Sequence, residues 1–173
     1  MTNPIPTFRI GHGYDLHRLD ALAPDGDGKP MVIGGVGFNS TPHARGPVGH
    51  SDADALMHAV TDALLGAVGE PDIGQLFPDD DPRHESQDSA VFLTEAAWRV
   101  RQAGYEIANL DATVVLEQPR LKDRKHEIIA RLADILHIDE HRVNVKGKSH
   151  EGVDAVGRGE AIEAHAVVLL VGV

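Results

Sequence analysis

Along the chain, stretches in which apolar and polar residues alternate are separated by stretches in which apolar residues recur every three or four positions. Alternation is the pattern of a half-buried strand, and it predicts strands at residues 7–17, 31–38, 105–116, 143–146 and 161–171. The longer period is that of an amphipathic helix, and it predicts helices at residues 52–68, 89–103 and 121–137. Residues 1–6 contain two prolines and are predicted to be a disordered leader ahead of a single domain at residues 7–173.

The order of these elements indicates the fold class. Strands come first, in the middle and last, with helices between them. This order predicts an α+β fold, in which helices pack on one face of a mixed β-sheet. Residues 41–49 are rich in proline and glycine and predict a loop, whereas the polar, proline-bounded residues 70–82 predict a short helix and a surface loop.

The net charge and the residue types limit the classes of function that the protein could have. The chain has 16 Lys and Arg against 27 Asp and Glu, a net charge of -11. It lacks the basic surface that duplex-binding proteins need, so no nucleic-acid partner is expected. With no cysteine and 11 histidines, a metal site would have to use His, Asp and Glu. No signal peptide or long apolar run is visible, which predicts a cytoplasmic protein without a membrane partner.

Asp15, His17 and His58 are the candidate metal ligands. Asp15 and His17 are two residues apart in a predicted strand, so their side chains lie on the same face. A helix packed over that strand could bring His58 to them as a third ligand. Catalytic zinc sites combine three such ligands with one open position. The alternative interpretation is that Asp15 caps a turn, His17 lies on the surface and His58 is an ordinary helix histidine.

His50 and Ser51 directly precede the helix that carries His58. Backbone N–H groups at a helix start, with a hydroxyl and an imidazole, can bind an anion. Plain N-capping by Ser51 or Asp52 is the alternative. Asp54 and Asp62 lie one turn on either side of His58, so either could hold its second ring nitrogen, or could face solvent.

The acidic segment Asp72–Asp81 suits the hydroxyl groups of a polyol or a hydrated Mg²⁺, although it could also be a solvated loop. Near the C-terminal end, Lys148 and Ser149 could hold a phosphate, and Glu151 could bind a second hard cation. Arg158 stands between two glycines, where its guanidinium could reach a phosphate or a neighbouring subunit.

Taken in order, these segments resemble the cyclodiphosphate synthase family. The resemblance extends from Phe8 to Val171 with almost no insertions. The matching runs are Arg9–His17, Ile33–Val36, His50–Asp54 with His58, Thr61–Gly66, Asp72–Gly74, Phe77–Asp79, Val143–Lys146 and Gly157–Glu160. The resemblance implies a CMP-releasing phosphorus–oxygen lyase of non-mevalonate isoprenoid synthesis that closes a cyclic diphosphate from a small CDP-linked substrate. It also implies a homotrimer with active sites between adjacent subunits.

The resemblance further implies roles for individual residues. Zinc would bind at Asp15, His17 and His58, and Mg²⁺ or Mn²⁺ would bind at Glu151 between the phosphates. His50 and Ser149 would assist in stabilising the transition state. The implied substrate-binding residues are Ser51, Asp72, Ile73, Gly74, Phe77, Pro78, Asp79, Asp80, Asp81 and Arg158. The implied nucleotide-binding residues are Leu116, Gln118, Pro119, Arg120, Leu121, Lys122, Lys148 and Ser149.

The chain departs from the family pattern at specific positions. Lys148 and His150 flank Ser149 where many members have a run of threonines. Ala155 stands where relatives often have a phenylalanine near the trimer axis, and Glu85 replaces a frequent lysine. Two rival hypotheses remain: a metal-dependent phosphohydrolase that releases free phosphate, and a catalytically silent trimeric module that binds a metal or a nucleotide.

Overall fold

The computed structural model describes residues 7–38, 45–78 and 80–173. The strands are β1 (Phe8–Ala21), β2 (Val32–Ile33), β3 (Val36–Gly37), β4 (Arg45–Pro47), β5 (Tyr105–Val115), β6 (Val143–Lys148) and β7 (Ala161–Gly172). The α-helices are α1 (Ala55–Val68), α2 (Ile73–Leu76), α3 (Ala90–Gln102), α4 (Lys125–Leu136) and α5 (Asp154–Gly157), with single 3-10 turns at Pro82–His84 and Glu140–Arg142. The predicted leader at residues 1–6 lies outside the described residues.

The main sheet has the strand order β4-β1-β7-β5-β6. Strand β1 pairs antiparallel with β4 and β7, and β5 pairs antiparallel with β7 but parallel with β6. The sheet is therefore mixed, and the prediction of a mixed sheet with helices in one α+β domain is confirmed.

The helices cover one face of this sheet. Helix α1 lies on β1 and β7, α3 packs on α1 and β5, and α4 packs on β6. The opposite face carries exposed apolar side chains, namely Phe8, Ile10, Tyr14, Leu16 and Val167. In the part of the chain that the structure describes, no helix has both the length and the apolar character needed to cross a membrane.

Two glycines let α1 lie unusually close to β1. A Cβ atom on Gly13 would stand 1.9 Å from the Ala59 carbonyl oxygen, and one on Gly11 would stand 1.8 Å from the Ala63 carbonyl oxygen. Only a residue without a side chain can occupy such positions. This close approach sets His58, on the same helix, directly over the end of β1 that carries Asp15 and His17.

The structure corrects several predicted boundaries. Residues 31–38 form a hairpin rather than one strand, because Gly34 and Gly35 both adopt positive φ angles, of 59° and 74°, as a two-residue turn requires. Helix α1 begins at Ala55, three residues later than predicted, and α4 begins at Lys125 rather than at residue 121. Strand β4 lies within the segment predicted as a loop.

Candidate active site

Asp15, His17 and His58 converge, as the resemblance implied. Asp15 Oδ2 lies 3.0 Å from His17 Nε2 and 3.1 Å from His58 Nδ1, and the two ring nitrogens are 3.3 Å apart. One ligand atom of each residue lies within 4.8 Å of the others. Two imidazole nitrogens and a carboxylate oxygen at this spacing form a donor set that suits zinc and leaves a position open.

The electrostatics of this cluster favour a positive charge. Burial alone raises the pKa of Asp15, but hydrogen bonds from His17 and His58 outweigh it and hold the pKa well below its usual value. Burial alone lowers the pKa of His58, but its hydrogen bond with Asp15 and the charge of that carboxylate raise it above its usual value. The cluster therefore attracts a proton or a metal cation in its place.

Asp54 and Asp62, the two carboxylates considered as outer contacts of His58, have other partners. Asp54 is the N-cap of α1, where its carboxylate accepts the Met57 N–H and both N–H groups of the glycine turn between β2 and β3. Asp62 accepts the N–H of Ile73 at 2.7 Å. Neither residue contacts the second nitrogen of His58, which instead faces the hydroxyl groups of Ser51 and Ser89.

A cavity of about 340 Å³ opens beside the three ligands. Of the residues implied to bind substrate or assist transfer, it is lined by His50, Ser51, Ile73, Gly74 and Phe77. The His50 Nε2–H donates to the Asp81 carbonyl oxygen at 3.1 Å, which fixes the plane of this ring at the cavity.

The rest of the acidic segment lies beside this cavity rather than in its lining. The Asp72 carboxylate caps α2 by accepting the Gln75 N–H, and the Asp81 carboxylate pairs with Arg83. Pro78 and Asp80 are not part of the lining. Asp79 lies outside the described residues.

Four further residues, which were not predicted from the sequence, line this cavity: Val48, Gly49, His84 and Phe92. The rings of His84 and Phe92 pack with Phe77, with centroid distances of 5.5 Å and 4.6 Å from Phe77. Phe92 follows the helical period of buried positions in α3, so its burial was predictable, although its place against the site was not. His84 was detectable as a histidine inside an acidic segment.

A second cavity, of about 370 Å³, lies at the ends of β5 and β6. Most of the residues implied to bind nucleotide line it, namely Leu116, Pro119, Arg120, Leu121, Lys122, Lys148 and Ser149. Gln118 is exposed and does not line it. The two cavities share no lining residue, so His50 and Ser149 stand in different cavities of one chain.

Glu151 and Arg158 line neither cavity. Glu151 is exposed in the turn after β6, with a φ of 51°. Arg158 pairs with Glu160 at 3.0 Å. Ala155 packs against a small apolar cluster that contains Val115.

Residues 8–171 match the model of the YgbB family. The chain is 50% identical over 167 residues to the chloroplastic 2-C-methyl-D-erythritol 2,4-cyclodiphosphate synthase of Oryza sativa subsp. japonica, a match covering 96% of this chain and 71% of that protein. It is 50% identical over 171 residues to the enzyme of that name from Rhodopirellula baltica, covering 98% of each. Among solved structures, IspF of Plasmodium falciparum in a CDP complex matches with a TM-score of 0.83 and 35% identity, covering 98% of this chain and 99% of that one.

Proposed function

The chain belongs to the YgbB family, and from that premise we propose that it converts 4-diphosphocytidyl-2-C-methyl-D-erythritol 2-phosphate to 2-C-methyl-D-erythritol 2,4-cyclodiphosphate and CMP. An oxygen of the 2-phosphate attacks the β-phosphorus in line, the bond to the α-phosphate oxygen breaks, and CMP leaves with no net addition of water. The observation that carries the proposal is the Asp15, His17 and His58 cluster, which opens onto a cavity in a chain that matches cyclodiphosphate synthases over nearly its whole length.

The residues of the cluster fit zinc. Asp15 supplies a carboxylate. The His17 Nδ1–H donates to the Val48 carbonyl oxygen at 3.2 Å, so in the neutral ring that a metal ion requires, Nε2 would carry the lone pair. When bound, the ion supplies a Lewis acid that polarises a β-phosphate oxygen. The three side chains would hold this ion at the cavity, and the rings of Phe77, His84 and Phe92 form an apolar wall on one side of it.

The methylerythritol end of the substrate is proposed to lie in the same cavity, against Ser51, Ile73 and Gly74. Asp72, Pro78, Asp79, Asp80 and Asp81 are proposed to contact it from the adjoining segment. His50 is proposed to stabilise the charge that moves during transfer, because its ring faces this cavity and is held by a main-chain carbonyl.

The CDP end is proposed to lie in the second cavity. Arg120, Lys122 and Lys148 supply positive charge there, which an acidic protein needs in order to bind a diphosphate. Ser149 is proposed to stabilise the transition state from this side, and Gln118 and Arg158 to contact the ligand from outside the cavity. Glu151, with Mg²⁺ or Mn²⁺, is proposed to neutralise the diphosphate oxygens, because carboxylates are preferred ligands of hard cations.

A homotrimer with shared sites is the proposed assembly. Its support is that the two cavities of one chain share no residue, although one substrate must contact both. A second support is the face of the sheet that the helices leave open, where Phe8, Ile10, Tyr14, Leu16 and Val167 are exposed. Exposed apolar side chains grouped on one face of a sheet are typical of interfaces. The predicted cytoplasmic location stays a prediction.

The metal site can be tested with His58→Ala. We expect this variant to lose zinc and nearly all CMP release, because one of three ligands is gone, while its fold persists. His126→Ala is the matched control, since that imidazole is 86% exposed on α4, and it should keep zinc and activity. Elemental analysis and phosphorus NMR of the products measure both. Full zinc occupancy in His58→Ala contradicts the site, and release of free phosphate by the wild type supports the phosphohydrolase instead.

The shared site can be tested by mixing two inactive variants. His58→Ala damages one cavity and Ser149→Ala the other, so a mixed oligomer should contain some interfaces with two intact halves. CMP release should then recover in part. If mixed oligomers form by native mass spectrometry and remain inactive, the model of sites between subunits is wrong.

A further inference from the structure

His58 turns one nitrogen toward Asp15 and the other into a buried hydrogen-bond network. Its Nε2 lies 2.8 Å from Ser89 Oγ and 3.2 Å from Ser51 Oγ. Ser89 is fully buried, and its hydroxyl also bonds to the Asp52 carboxylate. The same carboxylate accepts the Ser89 N–H at 3.0 Å. His58 is therefore connected through Ser89 to a carboxylate that stands outside the ligand set.

The direction of these bonds follows from the groups involved. A carboxylate can only accept, and a serine hydroxyl has one proton to donate. Because Ser89 donates that proton to Asp52, its oxygen must accept from His58, and Nε2 must carry a hydrogen. In the neutral ring, the other nitrogen, Nδ1, then holds the lone pair. It is the nitrogen 3.1 Å from Asp15 Oδ2, and a metal ion would replace the proton that it shares with this carboxylate.

The local structure shows that the Ser89 hydroxyl contacts His58 and Asp52 instead of capping α3. Ser89 occupies the N-cap position of α3, where a serine side chain ordinarily accepts a backbone N–H of the first turn. Here the side chain makes no such cap bond. Its hydroxyl bonds to His58 and Asp52 instead, so this side chain holds His58 and does not stabilise the start of α3.

We propose that Ser89 and Asp52 are positioning residues that hold His58 in the tautomer with hydrogen on Nε2 and so aim Nδ1 at the metal. The proposal rests on the proposed metal site at Asp15, His17 and His58. The corresponding partner of His17 is the main-chain carbonyl of Val48, which no substitution removes. The partner of His58 is a side chain, so its contribution to metal affinity can be measured. Substituting such outer partners typically lowers metal affinity about tenfold to a hundredfold.

Ser89→Ala and Ser89→Cys separate the hydrogen bond from packing. Alanine removes the hydroxyl, whereas cysteine keeps a similar volume but is a weak donor and acceptor. Both variants should bind zinc about tenfold to a hundredfold more weakly than the wild type in competition with a chelating dye. Thr61→Val is the matched control: it removes another buried hydroxyl, bonded to the Met57 carbonyl oxygen one turn from His58. It should leave zinc affinity unchanged.

A second measurement observes the tautomer itself. Nitrogen-15 NMR of metal-free Asp15→Ala, which lacks the carboxylate that competes for a hydrogen on Nδ1, should show the neutral His58 ring with hydrogen on Nε2. The double variant Asp15→Ala/Ser89→Ala should show a mixture of tautomers. Wild-type affinity in both Ser89 variants, or an unchanged tautomer in Asp15→Ala/Ser89→Ala, overturns the proposal. Equal losses in Ser89→Ala and Thr61→Val overturn it too, because they indicate general loosening of the core. If the wild type binds no zinc through His58, the proposed metal site fails, whereas the tautomer measurement still decides the role of Ser89.

Discussion

Asp54 is the residue whose replacement has the most calculable effect on stability. Its side chain is fully buried and joins two elements. Oδ1 accepts the Gly34 N–H at 2.9 Å and the Met57 N–H at 3.1 Å, and Oδ2 accepts the Gly35 N–H at 2.7 Å. In Asp54→Asn an NH₂ group replaces one oxygen and meets the Gly35 N–H, so two donors face each other. Leaving a buried donor unpaired costs about 1–3 kcal/mol.

The effect should depend on pH because of the carboxyl's pKa. Burial raises the pKa of Asp54 from 3.8 to about 6, although the hydrogen bonds from Gly35, Gly34 and Met57 oppose it. A pKa raised on folding means that the native state binds the proton more tightly than the unfolded state. The stabilisation from that proton is fully present below pH 3.8 and is lost as the pH rises through about 6. A shift of this size corresponds to about 3 kcal/mol.

Asparagine carries no titrating proton, so the stability of Asp54→Asn does not fall in this way as the pH rises. Asp54→Asn should therefore be less stable than the wild type by about 1–3 kcal/mol near pH 4. The difference in stability between the two proteins should disappear by about pH 7, because the wild type has then lost the stabilisation from its proton. Urea unfolding of both proteins across this range, with a chelator present, measures the gap. Asp134→Asn, at a carboxylate 78% exposed on α4, is the control and should show no such trend. A gap that widens with rising pH would refute the reasoning, because it would mean that the three N–H bonds outweigh desolvation.

Two further predictions follow from packing and charge. Gly13→Ala should lower the free energy of unfolding by more than about 3 kcal/mol or abolish folding, because its Cβ would meet the Ala59 carbonyl oxygen. Gly66→Ala, in α1 with open space around it, should stabilise by about 0.5–1 kcal/mol, and thermal unfolding compares the two. Lys148→Thr should weaken CDP binding about tenfold to a hundredfold, and less at high salt, because an exposed cation is screened. Calorimetry that finds unchanged affinity at low salt would show that Lys148 points to solvent.

The long elements and the shared face of Asp15 and His17 were predictable from the sequence for the same physical reason. Strand β1 and helix α1 are long enough for their periods to be unambiguous, and each period fixes which side chains share a face. The alternation therefore put Asp15 and His17 together. Nothing local showed that α1 lies on β1, and that step depended on the resemblance. In retrospect Gly11 and Gly13 carry the signal, since small residues on one strand face permit a close approach.

The predictions from sequence were wrong where several local structures were equally compatible with the residues. In those places a long-range contact determines which structure forms. Ser51, Asp52 and Asp54 are all good N-cap residues, so composition alone cannot say which one caps α1. The structure selects Asp54 because the glycine turn at Gly34 and Gly35 supplies two further N–H donors to the same carboxylate. That turn was itself predicted as part of a strand, because two glycines between apolar residues leave the alternation intact.

The run His50–Asp54 explains why a short motif can be so specific. His50 donates to a carbonyl at the cavity, Ser51 contacts His58, and Asp52 binds Ser89. Between them, Ala53 adopts a φ of 58°, which lets Asp54 turn inward as the cap. The four polar side chains have different partners, so a substitution at each of these positions disturbs a different contact. Most of these contacts are made to the protein itself. The motif therefore specifies the geometry around Asp15, His17 and His58 through contacts within the chain, while His50 and Ser51 also line the cavity.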